Sequence, residues 1–380
     1  MIAKTFAGLE SVLADELIGL GADKVETLKR GVRFYGDKKL MYLVNLSCRT
    51  ALYILKPISL FTVHDENDLY KKISEIPWWK FMDVNQKLAV DAVVYHSKLT
   101  HSKYIALKTK DAIADQFRER ENKRPSVDIK YPDVKIHIHI SNNNCTVSLN
   151  SSGDPLYKRG YRVSGGTAPL NEVLAAGLLH LSGWDKKTPL IDPMCGSGTI
   201  IIEAAMIANH IPPGILRKSF GFHKWKDFSP ELWDQVMKET KKAGQDLFSG
   251  IYGSDISWGM VKIARSNVSK ANLTNSISVE VKNISDYIPD TPKGILVTNP
   301  PYGVRITPAN TQFFYKELGD SFKRNFTGFE AWVLAADNEL IKHIGLRPSK
   351  KIIVFNGPIE CRFVKFELYQ GSKKTKHGKN

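Results

Sequence analysis

The sequence predicts two parts of different class, an α+β segment up to about residue 163 and an α/β segment after it. Three observations carry this. From Ala168 onward, short apolar runs alternate with helical patterns, as in a parallel sheet with crossover helices. One such run, Pro189-Leu190-Ile191, enters a glycine-rich turn, Asp192-Pro193-Met194-Cys195-Gly196-Ser197-Gly198, and then an almost wholly apolar helix from Thr199 to Asn209. Before residue 163, strands alternate in polarity and return through hairpins, the habit of antiparallel sheets.

Composition bounds the function. At 380 residues the chain suits two or three domains. It has no run of about 18 apolar residues and no apolar core of signal-peptide length near Met1, so neither a membrane span nor secretion is expected. Cys48, Cys145, Cys195 and Cys361 are scattered without a C-x-x-C pair, which argues against a zinc site or a disulfide framework and fits a reducing cytoplasm. Lys and Arg number 54 against 39 Asp and Glu, a net charge of +15 that favours a polyanionic partner, nucleic acid above all. Residues 371–380 hold no apolar side chain and read as a disordered basic tail.

Taken in order, residues 1–63 read strand-helix-strand-strand-helix-strand, the order of a small ferredoxin-like module. Its helices are predicted over Gly8 to Leu20 and Leu40 to Cys48. Its hairpin turns at Lys29-Arg30-Gly31, and its last strand, Ala51 to Val63, carries Pro57 at an edge or bulge. Residues 64–163 form a second unit: helix Asp68 to Ile76, strand Leu88 to Tyr95, helix Ser102 to Asn122, and a hairpin of Val134 to Ile140 with Cys145 to Leu149. Trp78 and Trp79 read as core residues. His137 and His139 share one strand face, but no third ligand is near, so a solvated face is preferred over a metal site. Lys103, Lys108 and Arg124 lie along a basic helix and its exit. Tyr157-Lys158-Arg159-Gly160-Tyr161-Arg162 interleaves cations with aromatics, which suits either RNA contact or an interdomain hinge clamped by cation–π contacts.

The remaining elements are helix Asn171 to Leu181, a helix near Pro230 to Ala243, strand Ile251 to Ser254 ending at Asp255, and helix Trp258 to Ala271. Strand Ile277 to Val281 follows, then strand Gly294 to Val297, helix Gln312 to Arg324, strand Ala331 to Ala335 and a final hairpin, Ile352 to Phe355 with Cys361 to Leu368.

The chemistry gathers at the carboxyl ends of the strands. The turn after Ile191 lets a ligand approach the backbone at the N-terminus of a helix. It lacks the third glycine of a dinucleotide fingerprint, Ile201 standing there instead, and it opens on Asp192. An aspartate would repel a phosphate and favour a cation such as a sulfonium or α-ammonium, which points to S-adenosylmethionine rather than NAD. Asp255 is placed to accept from ribose hydroxyls, and Asn283 to meet an adenine edge. After the strand Gly294 to Val297 comes Thr298-Asn299-Pro300-Pro301-Tyr302-Gly303, a stiff loop because two residues precede prolines and two prolines lack an N–H. The Asn299 carboxamide oxygen and the Pro300 carbonyl could accept both hydrogens of an exocyclic amine, and Tyr302 could stack on its ring.

Asp192 to Glu203, Ser254-Asp255 and Asn299 to Tyr302 together resemble the motif set of class I S-adenosylmethionine-dependent methyltransferases acting on exocyclic amines. Lys103 to Ile113, Arg124 to Asp128 and Tyr157 to Arg162 are similar to a THUMP domain. The whole resembles the bacterial 23S rRNA guanine-N2 methyltransferase family of THUMP proteins. That resemblance implies domains at 1–63 (ferredoxin-like), 64–163 (THUMP, RNA-binding) and 164–370 (methyltransferase), the last a Rossmann-like, mostly parallel seven-stranded sheet with its last strand antiparallel. It implies cofactor contacts from Pro169, Asp192, Met194, Cys195, Gly196, Gly198, Thr199, Asp255, Ile256 and Asn283, and RNA contacts from Lys103, Lys108, Arg124, Lys158, Arg159 and Arg162. Some members are fused to a second methyltransferase domain; here a single activity is expected. Asn283 departs from the aspartate common at its place.

The expected reaction is methylation of a guanine N2 in RNA, most simply 23S rRNA, with orientation rather than a strong general base supplying the rate. The Asn299 loop does not exclude adenine N6 in DNA or RNA, and a tRNA guanine-N2 methyltransferase has similar parts. A non-catalytic ribosome-assembly factor is the alternative from another class. Cys195 is not expected to act as a nucleophile, because it sits in the cofactor loop.

Overall fold

A computed structural model describes residues 1–163, 169–241, 247–301, 308–336 and 338–370. The expected basic tail at 371–380 and the Tyr302-Gly303 end of the amine-binding loop lie outside the described residues. The chain forms two compact units. The first comprises Met1–Thr5, Ala14–Leu156 and Arg217–Glu239; the second comprises Phe6–Leu13, Tyr157–Leu216 and Thr240–Asn380.

In the first unit, strands β1 (Ile2–Lys4), β2 (Asp23–Leu28), β3 (Gly31–Tyr35), β4 (Tyr53–Thr62), β5 (Leu88–Tyr95), β6 (Val134–Ser141) and β7 (Asn144–Asn150) form one sheet in the order β2-β3-β1-β4-β7-β6-β5. Helices α1 (Glu10–Gly19), α2 (Lys38–Ser47), α3 (Glu66–Ser74) and α4 (Ser102–Glu121) are interspersed with these strands. The expected strand-helix order over residues 1–63 is present. Its last strand does more than close that module: β4 pairs with β1 on one edge and with β7 on the other, so a single sheet runs through the ferredoxin-like and second segments. The register shifts between Pro57 and Ser59, where proline cannot donate to the ladder. Asn142 and Asn143, both at positive φ (48° and 65°), turn β6 into β7, and asparagine tolerates that conformation better than most side chains. Along β6, Ile136, Ile138 and Ile140 are fully buried, while His137 faces the carboxylate of Asp91 across the sheet.

Residues 217–239 fall inside the α/β stretch of the sequence yet belong to this first unit. Aromatic packing explains why. Phe222 stacks on Tyr42 with ring centroids 4.3 Å apart, Trp233 meets both rings edge-on, and the Ser229 amide donates to the Tyr42 hydroxyl. Arg217 adds hydrogen bonds to the carbonyls of Ser152, Asp154 and Pro155.

In the second unit, strands β8 (Leu190–Asp192), β9 (Ile251–Asp255), β10 (Ile277–Val281), β11 (Ile295–Thr298), β12 (Glu330–Ala335), β13 (Lys350–Asn356) and β14 (Ile359–Glu367) order as β10-β9-β8-β11-β12-β14-β13. The first five are parallel, and β14 is antiparallel to both its neighbours. This is the expected mostly parallel sheet with its last strand reversed. Helices α5 (Glu172–Leu181), α6 (Thr199–Ala208), α7 (Pro230–Lys241), α8 (Trp258–Lys270), α9 (Pro308–Asn325) and α10 (Asn338–His343) complete the chain; of these, α7 lies mostly in the first unit. From β8 the chain runs outward through β9 and β10, then returns to the other side of β8 as β11. In open α/β sheets the crevice at such a switch point, at the strand carboxyl ends, is where ligands bind. The buried face of α9 packs Tyr315, Leu318 and Phe322 against the sheet, with Phe326 just past its end, which fixes the far wall of that crevice.

Candidate active site

A cleft of about 560 Å³ opens at the switch point. Its lining comes from the turn after β8, the residues after β9, β10 and β11, and one face of α9. The turn after β8 is tight because Gly196 and Gly198 adopt positive φ (53° and 84°) and the Gly198 amide donates to the Cys195 carbonyl at 2.8 Å. A side chain at Gly198 would be strained there. The Cys195 amide is itself tied to the Ser254 carbonyl of β9. Thus the turn is held in shape by the neighbouring strand before any ligand arrives.

Asp192 is 1% exposed. Burial pushes its carboxyl up to about 7, and the nearby Asp255 adds to this; the Thr298 hydroxyl, donating at 2.8 Å, and the Met194 amide, at 3.2 Å, favour the ionised form. A cation bound beside it would complete that stabilisation. Asp255 accepts the Gly196 amide on one oxygen at 3.0 Å and the Ser257 amide on the other at 2.9 Å. An ionised carboxylate has about four acceptor positions, so capacity remains for hydroxyl donors. Burial holds the Cys195 thiol well above the ordinary cysteine range, so it is no thiolate nucleophile.

Of the residues expected to hold a cofactor, Pro169, Asp192, Met194, Cys195, Gly196, Thr199, Asp255, Ile256 and Asn283 line the cleft. Gly198 does not; it stands behind the turn, against Ala264 of α8. Asn283 is exposed and caps the short helix after β10, accepting the Ser285 amide. Asn299 lines the same cleft, and its Oδ1 is a buried acceptor without a hydrogen-bond partner among the described residues. Pro300 is buried beside it, and Pro301 lines the cleft. Tyr302 lies outside the described residues. Sequence reasoning missed the wall supplied by α9: Phe314, Glu317, Leu318 and Ser321. Their i, i+3, i+4, i+7 spacing was the available signal, and it reads equally well as a core stripe.

The expected RNA contacts divide. Lys103, Arg124 and Lys158 are exposed, and Lys108 lies over the Tyr70 ring at 5.2 Å. Arg159 and Arg162 must be corrected. Arg159 is 2% exposed and paired with the buried Glu203 at 3.3 Å. Arg162 is engaged with Glu172, Ser197 and Thr199. Neither guanidinium is available to a polyanion. Among the described residues, no group of three potential metal ligands stands together, and no helix is long and apolar enough to cross a membrane.

Comparison with known proteins places this geometry. Residues 159–365 match the RMKL-like methyltransferase domain, residues 63–150 the THUMP domain, and residues 1–55 the RlmL ferredoxin-like domain. The chain belongs to the RMKL-like methyltransferase family. Class I methyltransferases of this kind use S-adenosylmethionine, and the acidic, glycine-built cleft fits that cofactor. The ribosomal RNA large subunit methyltransferase K/L of Syntrophotalea carbinolica is 39% identical over 95% of this chain and 52% of its own length. The protein of the same name from Psychromonas ingrahamii is 40% identical over 94% of this chain and 48% of its own. The chain thus spans about half the length of these relatives. A Synechocystis protein named provisionally as an RNA methyltransferase is 39% identical over 95% of both chains. Among solved structures, a Listeria monocytogenes protein titled as a predicted N6-adenine-specific DNA methylase superposes with a TM-score of 0.86 at 27% identity, over 97% of this chain and 95% of that one.

Proposed function

We propose that this RMKL-like methyltransferase transfers a methyl group from S-adenosylmethionine to the exocyclic N2 amine of a guanine in RNA, with 23S rRNA as the substrate. One observation carries the reading: Asn299 presents a buried acceptor, unpartnered among the described residues, in the same cleft as Asp192 and the glycine turn. A buried acceptor without a donor costs about 1–3 kcal/mol, a cost that an amine N–H would relieve. The ribosomal RNA named for the K/L relatives supports the substrate, as do the THUMP match and the chain's net charge of +15.

The roles follow from the chemistry. S-adenosylmethionine supplies an electrophilic methyl on a sulfonium. Asp192 would face its positive end, Asp255 would accept from its ribose hydroxyls, and Asn283 would meet its adenine edge. A guanine amine is a poor nucleophile because its lone pair is delocalised into the ring. Asn299 Oδ1 and the Pro300 carbonyl would accept the two amine hydrogens and turn that lone pair toward the methyl group; the N–C bond would form as the S–CH3 bond breaks, leaving S-adenosylhomocysteine, and the surplus amine proton would pass to water. Tyr302 is assigned to stacking on the base. Orientation of this kind is worth several orders of magnitude in rate. A base within a stem must first be unstacked, at a cost of about a few kcal/mol.

The test is transfer of labelled methyl to 23S rRNA, followed by nucleoside mass spectrometry and mapping of the site. N2-methylguanosine in rRNA supports the reading. N6-methyladenosine would move the target to an adenine amine, and a product in tRNA alone would move the substrate.

A further inference from the structure

The stretch Tyr157–Val163 is the first segment of the second unit after Leu156, and it lies behind the methyl-donor cleft rather than in it. Its fixing points are specific. Arg159 and the Tyr161 hydroxyl both donate to Glu203, in the middle of α6, at 3.2–3.3 Å. Gly160 sits at a φ of 105°, and a Cβ there would lie 2.5 Å from the Leu216 carbonyl oxygen. The Val163 amide donates to Asn267 Oδ1 at 2.8 Å, and Asn267 Nδ2 donates to the Ser197 carbonyl at 2.9 Å.

Arg162 lies between these points, and all three of its guanidinium nitrogens donate. Nε donates to Glu172 at 2.8 Å, Nη1 to the Ser197 hydroxyl at 3.1 Å, and Nη2 to the Thr199 hydroxyl at 3.0 Å and the Leu170 carbonyl at 3.4 Å. Leu170, Ser197 and Thr199 line the cleft, whereas Arg162 does not. Ser197 and Thr199 flank Gly198, one of the two glycines in the turn. One planar cation therefore holds the side chains on both sides of that glycine. Glu172, 5% exposed at the start of α5, balances the charge.

We propose that Arg162 is a positioning residue of the methyl-donor site. It acts through the Ser197 and Thr199 hydroxyls to hold the glycine turn in its binding shape, and it touches neither cofactor nor RNA. This rests on the cleft being the S-adenosylmethionine site. A lysine could meet one partner at a time, because its ammonium is a point charge where arginine offers a fork.

The probe is S-adenosylhomocysteine, titrated by calorimetry into the whole chain. Arg162→Gln is expected to weaken binding about tenfold, equivalent to about 1.4 kcal/mol, with Arg162→Lys between it and the parent. The KM for S-adenosylmethionine should rise with it, while kcat at saturation and the KM for RNA stay within about twofold, a split that general loss of folded protein would not produce. In a double-mutant cycle, Thr199→Val should add little to Arg162→Gln, because both remove one connection. Equal affinity in Arg162→Gln, or full additivity with Thr199→Val, overturns the proposal. If Arg162→Gln fails to fold, Ser197→Ala and Thr199→Val carry the test, and unchanged affinity in both overturns it. Absence of binding in the parent chain overturns the cofactor reading itself, so the two failures are distinguishable.

Discussion

The hydroxyl of Thr298 donates to the buried carboxylate of Asp192 across 2.8 Å. Thr298 ends β11, immediately before Asn299, and Asp192 ends β8, at the start of the glycine turn. One hydrogen bond between two parallel strands therefore couples the wall proposed for the methyl donor to the wall proposed for the amine.

This pair is expected to make cofactor binding pH-dependent. In the proposed site the cofactor's cation sits beside ionised Asp192, whose carboxyl burial pushes up to about 7. Binding must then release a proton, so affinity is expected to rise with pH up to about 7 and to level off above it. Asp192→Asn should abolish this slope and weaken binding at every pH. Calorimetry of S-adenosylmethionine in buffers of different ionisation enthalpy reads the proton count directly; zero release near pH 6.5 contradicts the assignment.

Thr298→Val removes the donor that favours the ionised carboxyl. The titration should move further up, and cofactor binding at pH 7 should fall about tenfold, the worth of a hydrogen bond to a charged group. Part of the loss should return at pH 8.5. A pH-independent loss would mean that Thr298 acts through packing alone.

Asn299→Ala is expected to reduce methyl transfer roughly a hundredfold or more, the scale of a misoriented reacting group, while cofactor affinity stays near that of the parent. Single-turnover transfer and calorimetry on the same preparation separate the two quantities. Lost cofactor binding would place Asn299 in the donor site instead.

Arg159→Met leaves Glu203 buried without its guanidinium partner. Removing one member of a buried pair costs about 3–5 kcal/mol, so the urea midpoint should fall substantially. RNA affinity per folded molecule and its salt slope should not change. A stable variant with weakened RNA binding would restore this side chain to the RNA surface.

Lys103→Ala and Arg124→Ala should each lower the salt slope of RNA binding by about one, with stability unchanged. The measurement needs the whole chain. A fragment ending near residue 165 lacks Phe222 and Trp233, and so exposes the Tyr42 ring they cover. Such a fragment is expected to be poorly soluble. An unchanged slope in both variants would move the RNA path elsewhere.

Much of the site was legible because its parts are local. Asp192, Gly196, Asp255 and Asn299 each end or follow a short apolar strand, and a parallel sheet brings strand carboxyl ends to one edge. Strand boundaries were legible for the same reason: alternation along β6 and continuous apolarity along β11 are period signals carried by neighbours in sequence. The α9 wall was not legible, because Phe314, Glu317, Leu318 and Ser321 form a stripe that any buried helix would show. The α10 helix was missed, being only six residues long.

By itself, the sequence determined the two fold classes, the parallel sheet with its reversed last strand, and the residue types of the cleft. Only the tertiary structure decided where the charges and aromatics went. Arg159 and Arg162 looked like RNA contacts because an unpaired cation beside aromatics is written the same way as a buried one. Their partners, Glu203 and Glu172, stand 44 and 10 residues away. The aromatic run at Phe220 to Trp225 looked like part of the α/β domain until Tyr42, far earlier in the chain, claimed it. The pairing of β4 with β7 is of the same kind. Local periodicity states which face of an element is apolar. It does not name the distant surface that will cover that face, because that choice is made by burial and charge pairing between segments the sequence keeps apart.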